Sequence, residues 1–149
     1  MKVPKKISAI ISSVKKHKIP GFIYNLSEEL LQQIIADNKK AIVVDGAGIR
    51  TKWHLINAAA TALGIDCKNI HRVDSPLIVN IQQRIGMRLI IIIKPEYFGY
   101  STYEQITEFK NIQIPVIVLS SYPNFIQRFR ETKYYQENMI IEFDYNDLK

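Results

Sequence analysis

Two glycines, an arginine and a lysine follow closely on an aspartate in the run Asp45, Gly46, Ala47, Gly48, Ile49, Arg50, Thr51, Lys52, Trp53. Together they suit one task, the holding of an anion. Small residues let backbone N–H groups come close to a phosphate, and a helix that starts just after them turns its positive end toward the same charge. Other chemistry finds less support. His17, His54 and His71 lie far apart in sequence, and none has a carboxylate or second cysteine at ligand spacing, so no metal site is expected. There is no G-x-S-x-G turn, and Cys67 with His71 falls on an expected loop and strand, so no nucleophile is assigned.

The elements around the glycines fit a strand, a turn and a helix. Ala41 to Val44 is an apolar run that ends at Asp45, and from Thr51 to Leu63 the apolar residues return at helical spacing, with Gly64 as the C-cap. Upstream, residues 4–18 place Ile7, Ile10, Ile11 and Val14 on one helical face, and Lys5, Lys6, Lys15 and Lys16 around it. This basic helix is either an arm for nucleic acid or a partner, or a helix docked on the domain. Pro20 and Gly21 end it, and a second helix starts at Ser27, an N-cap followed by Glu28 and Glu29.

Downstream, a short strand is expected at Asn69 to Val73. Ser75 to Ile85 reads as a helix, although Ile78 and Val79 leave a strand open. Arg88 to Ile93 and Ile114 to Leu119 are continuous apolar runs, as in strands covered on both faces of a parallel sheet. A short helix at Tyr103 to Phe109 lies between them. A basic, aromatic helix over Phe125 to Tyr135 carries Arg128, Arg130 and Lys133, which could stack on and neutralise single-stranded nucleic acid, or could dock on the sheet through Phe125 and Phe129. A last strand is expected at Met139 to Phe143. Strands alternating with helices predict an α/β three-layer sandwich with a mostly parallel central sheet. Residues 1–40 are expected as a helical segment packed on a domain of residues 41–149, the two forming a single globular unit.

Composition bounds the partners. The 149 residues carry a formal net charge of +6, which favours an anionic partner, either nucleic acid or a ribonucleoprotein or replication complex. A single cysteine excludes a disulfide framework and points to a reducing compartment, cytoplasm or organelle matrix. The longest apolar run is strand-sized, so no membrane span is expected.

Three segments in order resemble the superfamily 3 helicase domain of the replication initiator (Rep) proteins of small circular single-stranded DNA viruses, over roughly residues 40–145. Val44, Asp45, Gly48 and Lys52 match a VD-x-x-G-x-x-GK-[ST] loop. Arg88 to Lys94 match the Walker B strand, Tyr103 to Asn111 the helix after it, Pro115 to Pro123 the motif C strand, and Glu137 to Phe143 the closing strand. The resemblance implies a P-loop NTPase-like fold, with ATP and magnesium as cofactors if the site is intact, and leaves an oligomer open.

The departures from that pattern carry the functional expectation. Thr51 stands at the last loop glycine, and Trp53 replaces the hydroxyl that would hold Mg²⁺. Lys94 stands at the Walker B aspartate with Glu96 two residues on, and Ser121 stands at the motif C asparagine. Gly46, Gly48, Arg50, Thr51, Lys52 and Trp53 are thus expected as a degenerate nucleotide loop, and Lys94, Glu96 and Ser121 as degenerate Walker B and motif C positions. Without metal ligand, acid and sensor, phosphoryl transfer loses its positioning and charge neutralisation. The expectation is a pseudo-ATPase of viral Rep ancestry with no catalytic residue and no cofactor, serving as a binding or structural subunit. The alternative is a divergent NTPase or helicase subunit using Lys52, Glu96 and Ser121.

Overall fold

The computed structural model describes residues 1–67 and 75–148. The strand expected at Asn69 to Val73, and His71 with it, lie outside the described residues. Five strands, β1 (Gly21–Tyr24), β2 (Ile42–Asp45), β3 (Ile90–Ile93), β4 (Val116–Leu119) and β5 (Ile141–Asp144), form one sheet in the order β2-β3-β4-β1-β5. Each neighbouring pair is parallel, with Ile42 opposite Ile90, Ile92 opposite Val118, Phe22 opposite Val118 and Ile23 opposite Phe143.

The period of two along each strand sorts side chains between two cores. Phe22, Tyr24, Ile90, Ile92, Val116 and Val118 face one cluster, filled by residues of α3 (Lys52–Ala62), α4 (Ser75–Ile85), α5 (Tyr100–Glu108) and α6 (Asn124–Arg130). Ile23, Ile91, Ile117 and Leu119 face the other, filled by α1 (Lys5–His17) and α2 (Glu28–Asp37). The expected three-layer α/β sandwich is thus the fold. Ile91 and Ile92 are both fully buried, as strands covered on both faces require.

Each helix bears the mark of its sequence. On α1, Ile7, Ile10, Ile11 and Val14 are buried at the spacing of one helical face, each worth about 1.5–3 kcal/mol relative to exposure. Lys18 then turns the chain in the left-handed region at φ 57°, its N–H donating to the Val14 carbonyl. The Ser27 hydroxyl accepts from the Leu30 N–H at 3.1 Å and so starts α2. Helix α6 stops at Arg130 instead of reaching Tyr135 as expected. The Thr132 hydroxyl bonds the Phe129 carbonyl at 2.8 Å and accepts from the Tyr134 N–H, replacing helical bonds with local ones.

One expectation needs correction. Residues 21–24, placed in the helical segment 1–40, form β1 in the interior of the sheet, between β4 and β5. The Pro20-Gly21 pair reads as a break, yet Gly21 is the first residue of the strand. A Cβ there would press to 2.7 Å from a methyl of Val14, so glycine lets α1 lie close over the sheet. No described helix is long and apolar enough to cross a membrane.

Candidate functional site

The strands β1 and β4 are neighbours, yet the helices that follow them, α2 and α6, leave toward opposite faces. Such a divergence opens a crevice at the carboxyl ends of the strands, where ligands of open parallel sheets bind. A depression of about 510 Å³ lies at this end, lined among others by Glu28, Lys94, Glu96, Ser120, Ser121 and Tyr122.

A phosphate loop has to follow the strand at that divergence, which here is β1. The connection from β1 to α2 is three residues, Asn25, Leu26 and Ser27, with neither glycine nor lysine. It is pinned to its neighbours. Asn25 takes the left-handed region at φ 61° and donates from Nδ2 to Asp144 at 2.9 Å, and the Leu26 N–H donates to the Ser120 carbonyl at 3.1 Å. Ser27 spends its hydroxyl on the helix cap, and Glu28 and Glu29 fill the first turn of α2. These carboxylates occupy the positive end of the helix, where an incoming anion would bind. Two like charges about 4 Å apart at an effective dielectric near 20 repel by roughly 4 kcal/mol.

The glycine turn expected to be that loop sits elsewhere. It follows β2, which among the described residues lies at the sheet edge and pairs with β3 alone, where connections do not diverge. Four of its backbone donors are engaged by the chain itself: Ala47 N–H to Asp45 Oδ1 at 2.9 Å, Ile49 N–H to the Gly46 carbonyl, Arg50 N–H to His54 Nδ1, and Lys52 N–H to Ser101 Oγ. Gly46 to Gly48 coil into a 3-10 turn, and Gly46 is needed because a Cβ would strike the carbonyl oxygens of Ile93 and Lys94. Nothing lies within 4 Å of a Cβ at Gly48. Thr51 caps α3 by accepting from the His54 N–H, Trp53 packs against the larger core, and Arg50 lies over the Tyr97 ring at 5.8 Å. Lys52 reaches Glu104 at 3.4 Å, not Asp45, whose partner is Lys94 at 3.8 Å. The Tyr134 hydroxyl and then Lys52 hold the Glu104 carboxyl below its usual range.

The segments after β3 and β4 do meet in the depression. Lys94 takes the left-handed region at φ 53°, a strained choice for a residue with a Cβ, and hands the chain to Pro95. Glu96 accepts from the Ser120 hydroxyl at 3.2 Å, while Arg128 donates to the backbone carbonyls of Glu96 at 2.7 Å and Phe98 at 2.6 Å. Ser120 therefore orients the acid, and the Ser121 hydroxyl is buried with no hydrogen-bond partner among the described residues. Glu96, Lys94 and Ser121 share one hollow, whereas Lys52 and Trp53 are not among its lining residues. Among the described residues no three acids, histidines or cysteines gather closely enough to hold a metal ion.

The expected basic surfaces are partly used up. Arg130 pairs with Glu142, and its charge is stabilised by bonds to Tyr135 and Glu142. Phe125 and Phe129 are buried, with Phe129 stacked on Tyr103 at 4.9 Å. Arg128 is a clamp for the turn after β3. The Phe125 to Tyr135 segment is thus a docked helix and its return; Arg128 and Arg130 are exposed but engaged by backbone carbonyls and Glu142, and Lys133 lies exposed over Tyr134 at 5.5 Å. Lys6 lies over Phe143 at 5.8 Å, and Lys5, Lys15 and Lys16 are exposed on α1.

Sequence reasoning gave Ser27 and Glu28 only a place at a helix start, and passed over Asn25, Leu26 and Ser120. The signal for the first was present: Phe22, Ile23 and Tyr24 form a short apolar and aromatic run bounded by turn residues and followed at once by a helix cap.

The architecture is that of the P-loop NTPase-like α/β fold. The structure is similar to that of Cdc6p from Pyrobaculum aerophilum, with a TM-score of 0.63 at 11% sequence identity. The match covers 95% of this chain and 47% of that one, so the chain spans about half the length of the structure it resembles. No protein-family model and no curated protein sequence matches the chain.

Proposed function

We propose that the chain is a non-catalytic domain of P-loop NTPase-like fold that serves as a binding or structural subunit of a nucleic-acid-containing assembly. The observation that carries this reading is the three-residue link from β1 to α2, closed by Glu28 and Glu29 where a triphosphate would need open N–H groups and a lysine. The charge of +6 supports an anionic partner. Descent from a Rep-like helicase rests on the matches at β3, β4 and β5. The loop match falls on an edge strand and adds nothing to it.

A second reading, a divergent NTPase, draws on Glu96 and Ser121 lying in one depression with an unpartnered hydroxyl. It lacks a phosphate cation there other than Lys94, since Lys52 is held by Glu104. Calorimetric titration with ATP, with and without Mg²⁺, together with phosphate release over hours, separates the two. The proposal expects neither binding below millimolar nor turnover. Magnesium-dependent micromolar binding with turnover establishes the second reading.

A further inference from the structure

The strands start at the opposite end of the sheet, and cations outnumber acids there. The helices α1 and α2 both finish at this end, and their last turns and the residues just after them carry Lys15, Lys16, Lys39 and Lys40, all exposed. A groove of about 410 Å³ runs between Lys15, Lys39 and Lys40 on one side and Met87 and Arg88 on the other, at the entrances to β2 and β3. Lys15, Asp37 and Asn38 also line a second hollow of about 190 Å³ that continues past Ser8 and Ser12. Asp37 is the acid in the groove, and the Gln33 side-chain amide donates to it at 2.7 Å.

A cluster of cations at helix ends has an ordinary use, the capping of carbonyl groups. Here that use is met by other groups. Lys18 Nζ donates to the Lys15 carbonyl at 2.6 Å, Asn38 Nδ2 to the Ile34 carbonyl at 2.7 Å, and Arg88 to the carbonyls of Arg84 and Ile85. Among the described residues no ion pair engages Lys15, Lys16, Lys39 or Lys40. By contrast Lys52, Lys94 and Arg130, placed elsewhere, each have a carboxylate. Lys15, Lys39 and Lys40 thus line one groove with Asp37 as its acid, and among the described residues none of the three has an ion pair.

We infer that this groove, at the strand entrances and away from the nucleotide-type crevice, binds the phosphodiester backbone of a nucleic acid. This deepens the proposed binding role and rests on it. The composition of the groove selects that partner over an acidic protein. Tight protein interfaces are anchored by aromatic or aliphatic side chains seated in pockets; of the two large apolar groups here, Leu89 is already buried in the core at 2% exposure and Met87 stands 83% exposed. A polyanion needs no such anchor, because it gains affinity from counterions released as each phosphate meets a cation. With no aromatic ring in the groove, bases are not stacked and sequence is not read. DNA and RNA offer the same backbone chemistry.

The test is fluorescence anisotropy of the full chain with labelled 20-nucleotide single-stranded DNA, RNA of equal length and a 20-base-pair duplex, at 50, 100 and 200 mM salt. The variants are Lys15→Gln with Lys39→Gln and Lys40→Gln, and, as control, Lys2→Gln with Lys110→Gln, neither of which lines the groove, all checked for unchanged circular dichroism. The expected result is binding that weakens steeply with salt, at least 10-fold loss in the triple variant, and a salt slope flatter by about 2–3, as three lost phosphate contacts give. The control stays within 2-fold, and scrambled sequences bind alike. Absence of binding at 50 mM salt, or equal loss in the control, overturns the inference. A titration with Mg-ATP on the same samples reports separately on the pseudo-ATPase reading, so either can fail alone.

Discussion

Two connections of this chain, one after β1 and one after β2, exchange the roles that their letters suggest. Gly46 to Trp53 has the glycines, the lysine and the following helix of an anion loop, but it follows an edge strand and spends N–H groups on Asp45, His54 and Ser101. Asn25 to Ser27 has none of those residues, yet it lies where the helices of β1 and β4 part, at the one place in such a sheet that gathers ligand-facing backbone. A motif is a list of side chains, and the ability to cradle a phosphate belongs to a position in the topology. When the position holds a tight, acid-capped turn, the motif elsewhere becomes a packing device.

The comparison can be broken most sharply at the glycines. Gly46→Ala is expected to destabilise the fold by about 3 kcal/mol, because backbone carbonyls of Ile93 and Lys94 cannot retreat from a Cβ. Gly48→Ala is expected to change stability by less than about 0.5 kcal/mol, since open space surrounds it. Urea unfolding reads both. Equal effects of the two substitutions would return Gly46 to a role outside packing.

Next comes the β1 side. Burial, and then the hydrogen bond to Glu142, push the Tyr24 hydroxyl up to about 12 from its ordinary 10. A raised folded-state value means that the neutral phenol is favoured in the fold, so its stabilisation is complete below pH 10 and lost as pH rises from 10 to 12. Circular dichroism should show stability falling in that window, with a shallower fall in Tyr24→Phe. A flat profile there contradicts the placement of Tyr24 at the sheet interior. Ser27→Ala is expected to cost about 1 kcal/mol through loss of the α2 cap, read by urea unfolding.

How far the sequence revealed this follows from the same two connections. The strongly patterned elements were legible: Ile7 to Val14 on α1 and Leu30 to Ile34 on α2 recur at helical spacing, and the continuous apolar runs of β3 and β4 leave no other burial. The fold class followed from their alternation. The strand β1 was not read, since four residues between a Pro-Gly break and a helix cap give no measurable period. That single omission moved the candidate loop from β1 to β2, because the order of strands across a sheet is set by long-range pairing, and local spacing does not encode it. Lys94, Glu96 and Ser121 were placed together all the same, since both β3 and β4 were recognised and their ends meet in the depression. Ser120, which orients Glu96, was invisible beside Ser121 in the sequence.

The smallest effect sharpens the contrast from the other side. Lys52→Ala is expected to change stability by no more than about 0.5 kcal/mol, as its ion pair with Glu104 is half exposed. A loss above 2 kcal/mol, by urea unfolding, would mean that Lys52 serves more than a surface pair.

The most direct measurement is an amide-resolved NMR titration with Mg-ATP, which watches the N–H groups of both connections in one sample. The account requires that the amides of Asn25 to Glu29 and of Gly46 to Trp53 stay in place up to millimolar nucleotide. A saturable, micromolar movement of either set would contradict it, and the set that moved would name the working loop.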